Sequence, residues 1–582
     1  MQSQRKVKGG DFLIAEVVLL LVFCGTVWGQ CSAGAMNPPP EQAQIQQAIE
    51  QHNWTEVVRL AAPLPGRSSD VNFEYGLALA HLERWIEARA TLKAGERACP
   101  AQKRFAVELA GIAFELKRYP EAAAWLRKAL RLDPKDEYAN NFAGTVYLLM
   151  GNTNAALEYW NRLEKPNIAA INFDSQLRLQ KLILDRAFAF SPAAVLNERD
   201  FETTQSRLDE LGVFPRYNIV LNARSDGKFD AEFHAAERDG FGSSRLQALI
   251  STFGGAAYET VYPSYFNIGR AAMNFESLLR WDGQKRRVWL SMSAPLNDRP
   301  GWRWALKIDA RDENWAIRHS FTGNAPVLGS LDLERQSVTG TVTGIPNGRL
   351  RWSTGAEFSH RNYHSVVEGT ALTPALVVPG YELKALASIE GKVLQIPERR
   401  FTLTATANAE LARLWAPEPQ VTDAPGVFGR LQGSAMTHWF PRAQDDKYEV
   451  EQRVRLGRTL GSAPLDELFL LGMERDTDLW LRGQIGTRDR KKGSSPLADS
   501  YFLSNSDFYR RVYGNGLFSI KAGPLLDVAR AGAPTGGLST RQWLFDVGVD
   551  TKITVLGTSV VLTYGRDLRS GSNAFYATVI QR

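Results

Sequence analysis

From about residue 269 to the end, apolar and polar side chains alternate every second position. FTLTATANAEL (401–411) puts Phe401, Leu403, Ala405, Ala407, Ala409 and Leu411 on one side, and Thr402, Thr404, Thr406, Asn408 and Glu410 on the other. WLFDVGVDTKI (543–553) sets Asp546, Asp550 and Lys552 on its polar side, and YEVEQRVRL (448–456) sets Glu449, Glu451, Arg453 and Arg455 on one side. A period of two is the strand period. Roughly fifteen such segments of about ten residues follow one another, joined by turns bearing Gly, Asn and Pro. A soluble sandwich or propeller buries the apolar face, whereas a membrane barrel turns it to lipid and keeps charge in the lumen. A propeller would repeat at about 40 residues, and no such repeat is present. The apolar faces carry Ala, Thr and aromatics, and short turns alternate with long excursions at 363–380 and 461–498. The pattern therefore predicts an antiparallel transmembrane β-barrel over 239–582.

The rest of the chain bounds the alternatives. A chain of 582 residues holds several domains. Its net charge of +6 is too mild to point to nucleic acid, and no nucleic-acid partner is expected. The three cysteines, Cys24, Cys31 and Cys99, form no CxxC pair, so neither a disulfide scaffold nor a cysteine zinc site is expected. Arg5, Lys6 and Lys8 precede an apolar run from Val17 to Phe23 and small residues up to Gly29, which reads as an export signal over 1–29. A Cys31–Cys99 disulfide and two free thiols both remain open. No later run is long and apolar enough for a spanning helix, so any crossing must be made by strands.

Between the signal and the strands lies an internal repeat. Gly76, Ala110 and Gly144 are 34 residues apart, as are Ala88, Ala122 and Ala156, and as are Leu92, Leu126 and Trp160; Pro100 and Pro134 keep the same interval. Small residues let paired helices approach and large ones fill the groove. The spacing resembles the tetratricopeptide pattern and predicts an α-helical solenoid over 41–182, with 42–64 as a leading unit. Such arrays bind a peptide or partner protein and carry no chemistry.

Residues 183–238 change character. ILDRAFAF reads as a strand and 197–214 as a helix, followed by RYNIVLNA and KFDAEFHAAER around the turn Ser225-Asp226-Gly227. The order strand, helix, strand, strand with the phrase RLDELGVF resembles a POTRA domain, a periplasmic module whose edge strand can pair with an extended chain.

One long interruption breaks the strands at 461–498. It contains DELFLLG (466–472) and DLWLRGQIG (478–486), and is followed by DSYFLSNSDFYRRVY and four further strands. This arrangement resembles the BamA/TamA superfamily of outer-membrane assembly proteins, in which one surface loop folds back into a barrel of about sixteen strands and carries Arg-Gly at its tip. The resemblance implies that Arg482 and Gly483 form the tip and that Asp527 of GPLLDVA holds Arg482. Ala529 stands where the family has glycine, and the chain ends in Arg582 where an aromatic is common. The resemblance further implies a weak seam between a first strand near 269–281, with Asn274, and a last strand near 573–582, with Phe575 and Tyr576. An arginine in a lumen needs an acidic partner, because an unpaired buried charge costs several kcal/mol.

On this reading the chain is a multi-domain α+β protein of the bacterial outer membrane, with its N-terminal domains in the periplasm. It assembles outer-membrane proteins or passes a protein to the surface. Unfolded outer-membrane clients, the lipid bilayer and a periplasmic accessory protein on the helical array are its expected partners. The alternative is a secretion pore for polysaccharide or a surface lipoprotein. GxSxG, HExxH and phosphate loops are absent from the sequence, and His360 and His364 lie four residues apart along a strand; no enzyme activity, cofactor or metal is expected.

Overall fold

The computed structural model describes residues 40–581 except 175, 319–325, 368–371, 416–425, 516–517, 533–542 and 556–557. The expected export signal, Cys24 and Cys31 therefore lie outside the described residues; Cys99 is disulfide-bonded.

The chain divides into two compact units, one up to Ala139 and one from Asn140. The first is built of antiparallel helical hairpins: Pro40–Glu50 with Trp54–Ala61, Ser69–His81 with Trp85–Ala98, and Lys103–Glu115 with Tyr119–Leu132. Asn53 and Ser68 cap two of these helices by accepting from the N–H of Glu56 and Val71. Gly76 lies so close beneath Leu92 that an added Cβ would stand 2.5 Å from Leu92 Cγ. Ala88, Ala110 and Ala122 are fully buried in the hairpin interfaces, while Pro100 and Pro134 sit in the turns between hairpins. Lys103 to Asp136 at 2.6 Å and Arg89 to Glu121 at 2.5 Å link neighbouring repeats.

The second unit begins with the end of the helical region. Gly144 packs under Trp160, and Ala156 is buried beside it. A small mixed sheet follows, in which Phe229–Ala236 is central, parallel to Ile168–Phe173 and antiparallel to Arg216–Ala223. Helices Lys181–Ala187 and Glu198–Leu211 pack on it around Phe188, Phe201, Leu208 and Phe233. Two sequence expectations are corrected here. ILDRAFAF is not a strand, because Ile183, Leu184 and Ala187 are buried along one face of a helix. The strand that completes the sheet is IAAINF, upstream of the expected boundary at 183.

The remainder is one large antiparallel sheet. Nine long strands run from Met273–Asp282 to Tyr448–Leu460, and five more from Ser500–Gly514 to Asn573–Gln581. Neighbours pair antiparallel in sequence order, with Tyr448–Leu460 joined across the interruption to Ser500–Gly514. Alternation sorts the side chains. Leu306, Val338, Phe358, Leu431, Leu456 and Val549 are exposed on the outer face, whereas Arg303, Asp309 and Glu313 are buried on the concave face.

The first edge differs from expectation. Asn274 is not on an edge strand, because the segment Thr260–Val261 and Ser264–Ile268 adds itself to the outer side of Met273–Asp282. Asn274 is buried, donating to the Leu211 carbonyl at 2.9 Å and accepting from the N–H of Asn267 at 3.1 Å. The chain preceding it forms helix Arg245–Phe253 rather than further long strands. That is why the sheet holds fourteen long strands and a short edge segment where about sixteen strands are expected.

Candidate functional site

Residues 461–499 turn inward across the concave face and are largely buried. Four two-residue strands, Phe469–Leu470, Thr487–Arg488, Lys491–Lys492 and Leu497–Ala498, stiffen this loop. Charge fixes it at three places along its length.

The first place is the acidic pair that opens the loop. Glu467 lies 2.9 Å from both Lys384 and Arg335 and 3.0 Å from Arg430. Asp466 lies 2.9 Å from Arg361 and accepts from the Tyr363 hydroxyl at 2.8 Å. Arg361 is fully buried and completes its fork on Glu382 at 2.5 Å. Four different strands supply these cations.

The second place is Asp476. It accepts from Arg287 at 2.7 Å and Arg280 at 3.0 Å, both near the start of the sheet. Lys492 of the loop itself stands 2.9 Å away and also pairs with Glu313 at 2.6 Å.

The third place reverses the sign. Arg482 reaches into an acidic wall formed by three strands near the end of the sheet. Its Nη2 donates to Asp527 at 2.6 Å, and its Nη1 to Asp507 at 2.5 Å and Asp550 at 2.7 Å. The Arg482 backbone N–H donates to the other Asp527 oxygen at 2.9 Å, and the Gly483 N–H donates to Asp546. Asn505 braces Asp527 at 2.7 Å while donating to the Trp480 carbonyl at 2.8 Å. Leu481 is buried beside Leu503, Ala529 and Leu544. At Gly483 a Cβ would press on Asp546, and at Gly565 of the wall a Cβ would collide with the Arg482 carbonyl. Both glycines serve close backbone approach.

The structure thus brings Arg482, Gly483 and Asp527 together. Tyr576 also faces the loop, its ring 5.7 Å from that of Trp480, while Phe575 is exposed on the outer face. Asn274 is apart from both. Sequence reasoning missed Asp507, Asp546 and Asp550 as partners of the tip, and missed Asp466, Glu467 and Asp476 altogether. The signal was present for the first group, since Asp546 and Asp550 fall on one face of an alternating strand.

Between the loop tip and the wall lies a cavity of about 340 Å³ lined by both signs of charge, including Arg453, Arg455, Asp507, Asp550, Glu451 and Lys552. The arrangement is a set of neutralised, hydrogen-bonded ion pairs. It can hold a loop in place; it presents no nucleophile–base pair around Arg482.

No protein-family model matches the chain, and no curated protein matches it. Among solved structures it is similar to BamA from Haemophilus ducreyi lacking POTRA domains 1–3, at 11% identity and a TM-score of 0.40, over 71% of this chain and 84% of that one. It is similar to CdiB from Escherichia coli at 15% identity and a TM-score of 0.45, over 72% of this chain and 75% of that one. CdiB from Acinetobacter baumannii gives 9% identity and a TM-score of 0.42, over 72% and 74%.

Proposed function

We propose that the curled sheet is a barrel spanning the bacterial outer membrane, that it inserts outer-membrane proteins or delivers a protein to the surface, and that its inward loop is the latch of that machine. An apolar outer face of this extent has no place in water, and lipid is the medium that accepts it while charge stays inside.

The observation that carries the reading is the direction of the edge strands. With an even number of long strands, each antiparallel to the next, the first and last long strands run opposite ways. Thr260–Val261 is antiparallel to Met273–Asp282, so it runs the same way as Asn573–Gln581, its other neighbour in the strand order. A short segment that meets its neighbour in parallel offers few ladder bonds. It makes a weak seam, and an edge of that kind accepts a client strand through its unpaired N–H and C=O groups.

The loop supports the same reading. Asp476 grips the first strands while Arg482 and Gly483 grip the last ones, so side chains inside the lumen tie together what the backbone ladder ties weakly. The helical hairpins serve as a tetratricopeptide array for an accessory protein. The small mixed domain serves as a POTRA-like receiver whose edge, Arg216–Ala223, takes up an extended chain.

A crosslink tests this. One cysteine is placed at 260 or 261 and one within 573–578 in a variant lacking Cys24, Cys31 and Cys99. A bridge that forms and stops surface delivery of outer-membrane proteins supports the seam. A bridge that forms while delivery continues moves the reading to the secretion pore, whose lumenal path would require the loop to leave.

A further inference from the structure

We propose that His438, Glu449 and Glu451 form a binding site for one divalent cation of the zinc type on the concave face of the sheet. The strands Val427–Trp439 and Tyr448–Leu460 are antiparallel neighbours, and their register sets His438 directly opposite Glu451. Glu449 lies two residues along the same strand and so on the same face. The three side chains converge. His438 Nε2 is 2.8 Å from Glu449 Oε1 and 3.8 Å from Glu451 Oε1. All three donor atoms lie within 4.8 Å of one another, and among the described residues this is the one such group.

Those separations suit an ion. Zinc binds imidazole nitrogen and carboxylate oxygen at about 2.1 Å in a tetrahedron, which puts donors about 3.4 Å apart. The two separations from His438, 2.8 and 3.8 Å, bracket that spacing, and the third lies within 4.8 Å, so rotamer adjustments close the site. One nitrogen and two carboxylates suit zinc better than calcium or magnesium, which prefer oxygen alone. The fourth position opens to the cavity that Glu451 lines, leaving room for water.

One acceptor of the cluster is unsatisfied. Glu451 Oε1 is buried and makes no hydrogen bond, although it sits beside a second carboxylate. A buried acceptor without a donor carries a desolvation cost, and a cation between the two carboxylates removes it. Lysines stand nearby without filling that place. Lys521 binds the other oxygen of Glu449 at 2.5 Å, which orients Oε1 toward His438 as an outer partner orients a ligand. Lys552 is 3.9 Å from Glu451 Oε1, beyond hydrogen-bond reach. Both ammonium groups weaken the site by repelling the ion, so the affinity is set by how far they are screened. Bound there, the ion staples two neighbouring strands close to the turn at 440–447.

The full chain in detergent, stripped with chelator, is titrated with zinc chloride against a chromophoric competitor. One saturable site per chain is expected, weakened at least tenfold in His438→Ala and in Glu451→Gln. Heat-modifiable migration checks that the variants fold. A second measurement needs no variant: zinc should protect His438, and not the exposed His52, from carbethoxylation read by mass spectrometry. Absence of a saturable site, affinity unchanged in both folded variants, or carbethoxylation of His438 at the same rate with and without zinc overturns the proposal.

Discussion

Arg482 and Asp527 are joined through both side chain and main chain: the guanidinium Nη2 and Nε donate to the carboxylate at 2.6 and 3.0 Å, and the backbone N–H of the same arginine donates to it at 2.9 Å. One aspartate therefore fixes both the side chain and the main chain of the loop tip. Asp507 and Asp550 take the remaining guanidinium face, so the cation is the hub and each carboxylate is a spoke. Removing the hub leaves three buried acids facing one another, and removing one spoke leaves a cation that still has two.

Arg482→Ala should then cost more than Asp527→Asn. Breaking a buried ion pair by deleting one partner costs about 3–5 kcal/mol, and the arginine variant should fall in that range. Arg482→Lys should lie between it and the parent, since an ammonium cannot reproduce the fork. The midpoint of heat-modifiable migration in denaturant ranks the three. Equal midpoints for Arg482→Ala and the parent would sink the latch.

Asp476 is the counterpart at the other end of the sheet. Its removal leaves Arg280, Arg287 and Lys492 close together, with Asp309 still paired to Arg287 and Glu313 still paired to Lys492. Asp476→Ala should release the loop from the first strands by a few kcal/mol while Arg482 still holds the last ones. Limited proteolysis should then cut near 474–478 in intact membranes, where the parent resists. A double variant with Arg482→Ala should lose more than the sum if the two grips close one seam, and only the sum if they act separately.

What the sequence made legible follows period and spacing. The alternation in FTLTATANAEL set its faces correctly because a strand with an apolar side turned outward and a polar side turned to the concave face has no second way to lie. Arg482 and Asp527 were legible only through a family resemblance, since nothing in LRG itself specifies a partner 45 residues away. Asp466, Glu467 and Asp476 were not legible, because a charged stretch between strands reads as a solvated loop until the basic wall at Arg335, Arg361 and Lys384 is seen in space. ILDRAFAF misled for a local reason: so short a stretch, apolar but for Asp185 and Arg186, fits either period, and its burial at 183, 184 and 187 decides for helix. The edge segment 260–268 was missed because two short strands, of two and five residues, the longer with a bulge, give too little alternation to register.

Gly565 offers a test that leaves every charge in place. The Arg482 carbonyl rests where its Cβ would be, so Gly565→Ala pushes the loop tip away from the wall while the Arg482 and Asp527 side chains stay unaltered. Overpacking of this kind costs about 1–3 kcal/mol. The variant should show the loosened loop of Arg482→Ala in the same proteolysis assay. A protected loop would mean that the wall yields instead of the tip.

Glu74 in the helical unit gives a pH test. Burial, and then the charge of Asp70, push its carboxyl from 4.5 up to about 6, with Arg104 offsetting part of the effect; one of its oxygens makes no hydrogen bond. The folded state thus holds a proton that the unfolded chain releases earlier, so this group's stabilisation is complete below pH 4.5 and is lost as pH rises through 6. Glu74→Gln removes the loss. Allowing for the group's partial exposure, the gain is about 1 kcal/mol above pH 6, with little difference at pH 4. Thermal melts of the full chain followed at 222 nm report the helices against a β-rich background. A stabilisation that is the same at pH 4 and pH 8 would show that Glu74 titrates alike in the folded and unfolded states, and that the variant acts by packing alone.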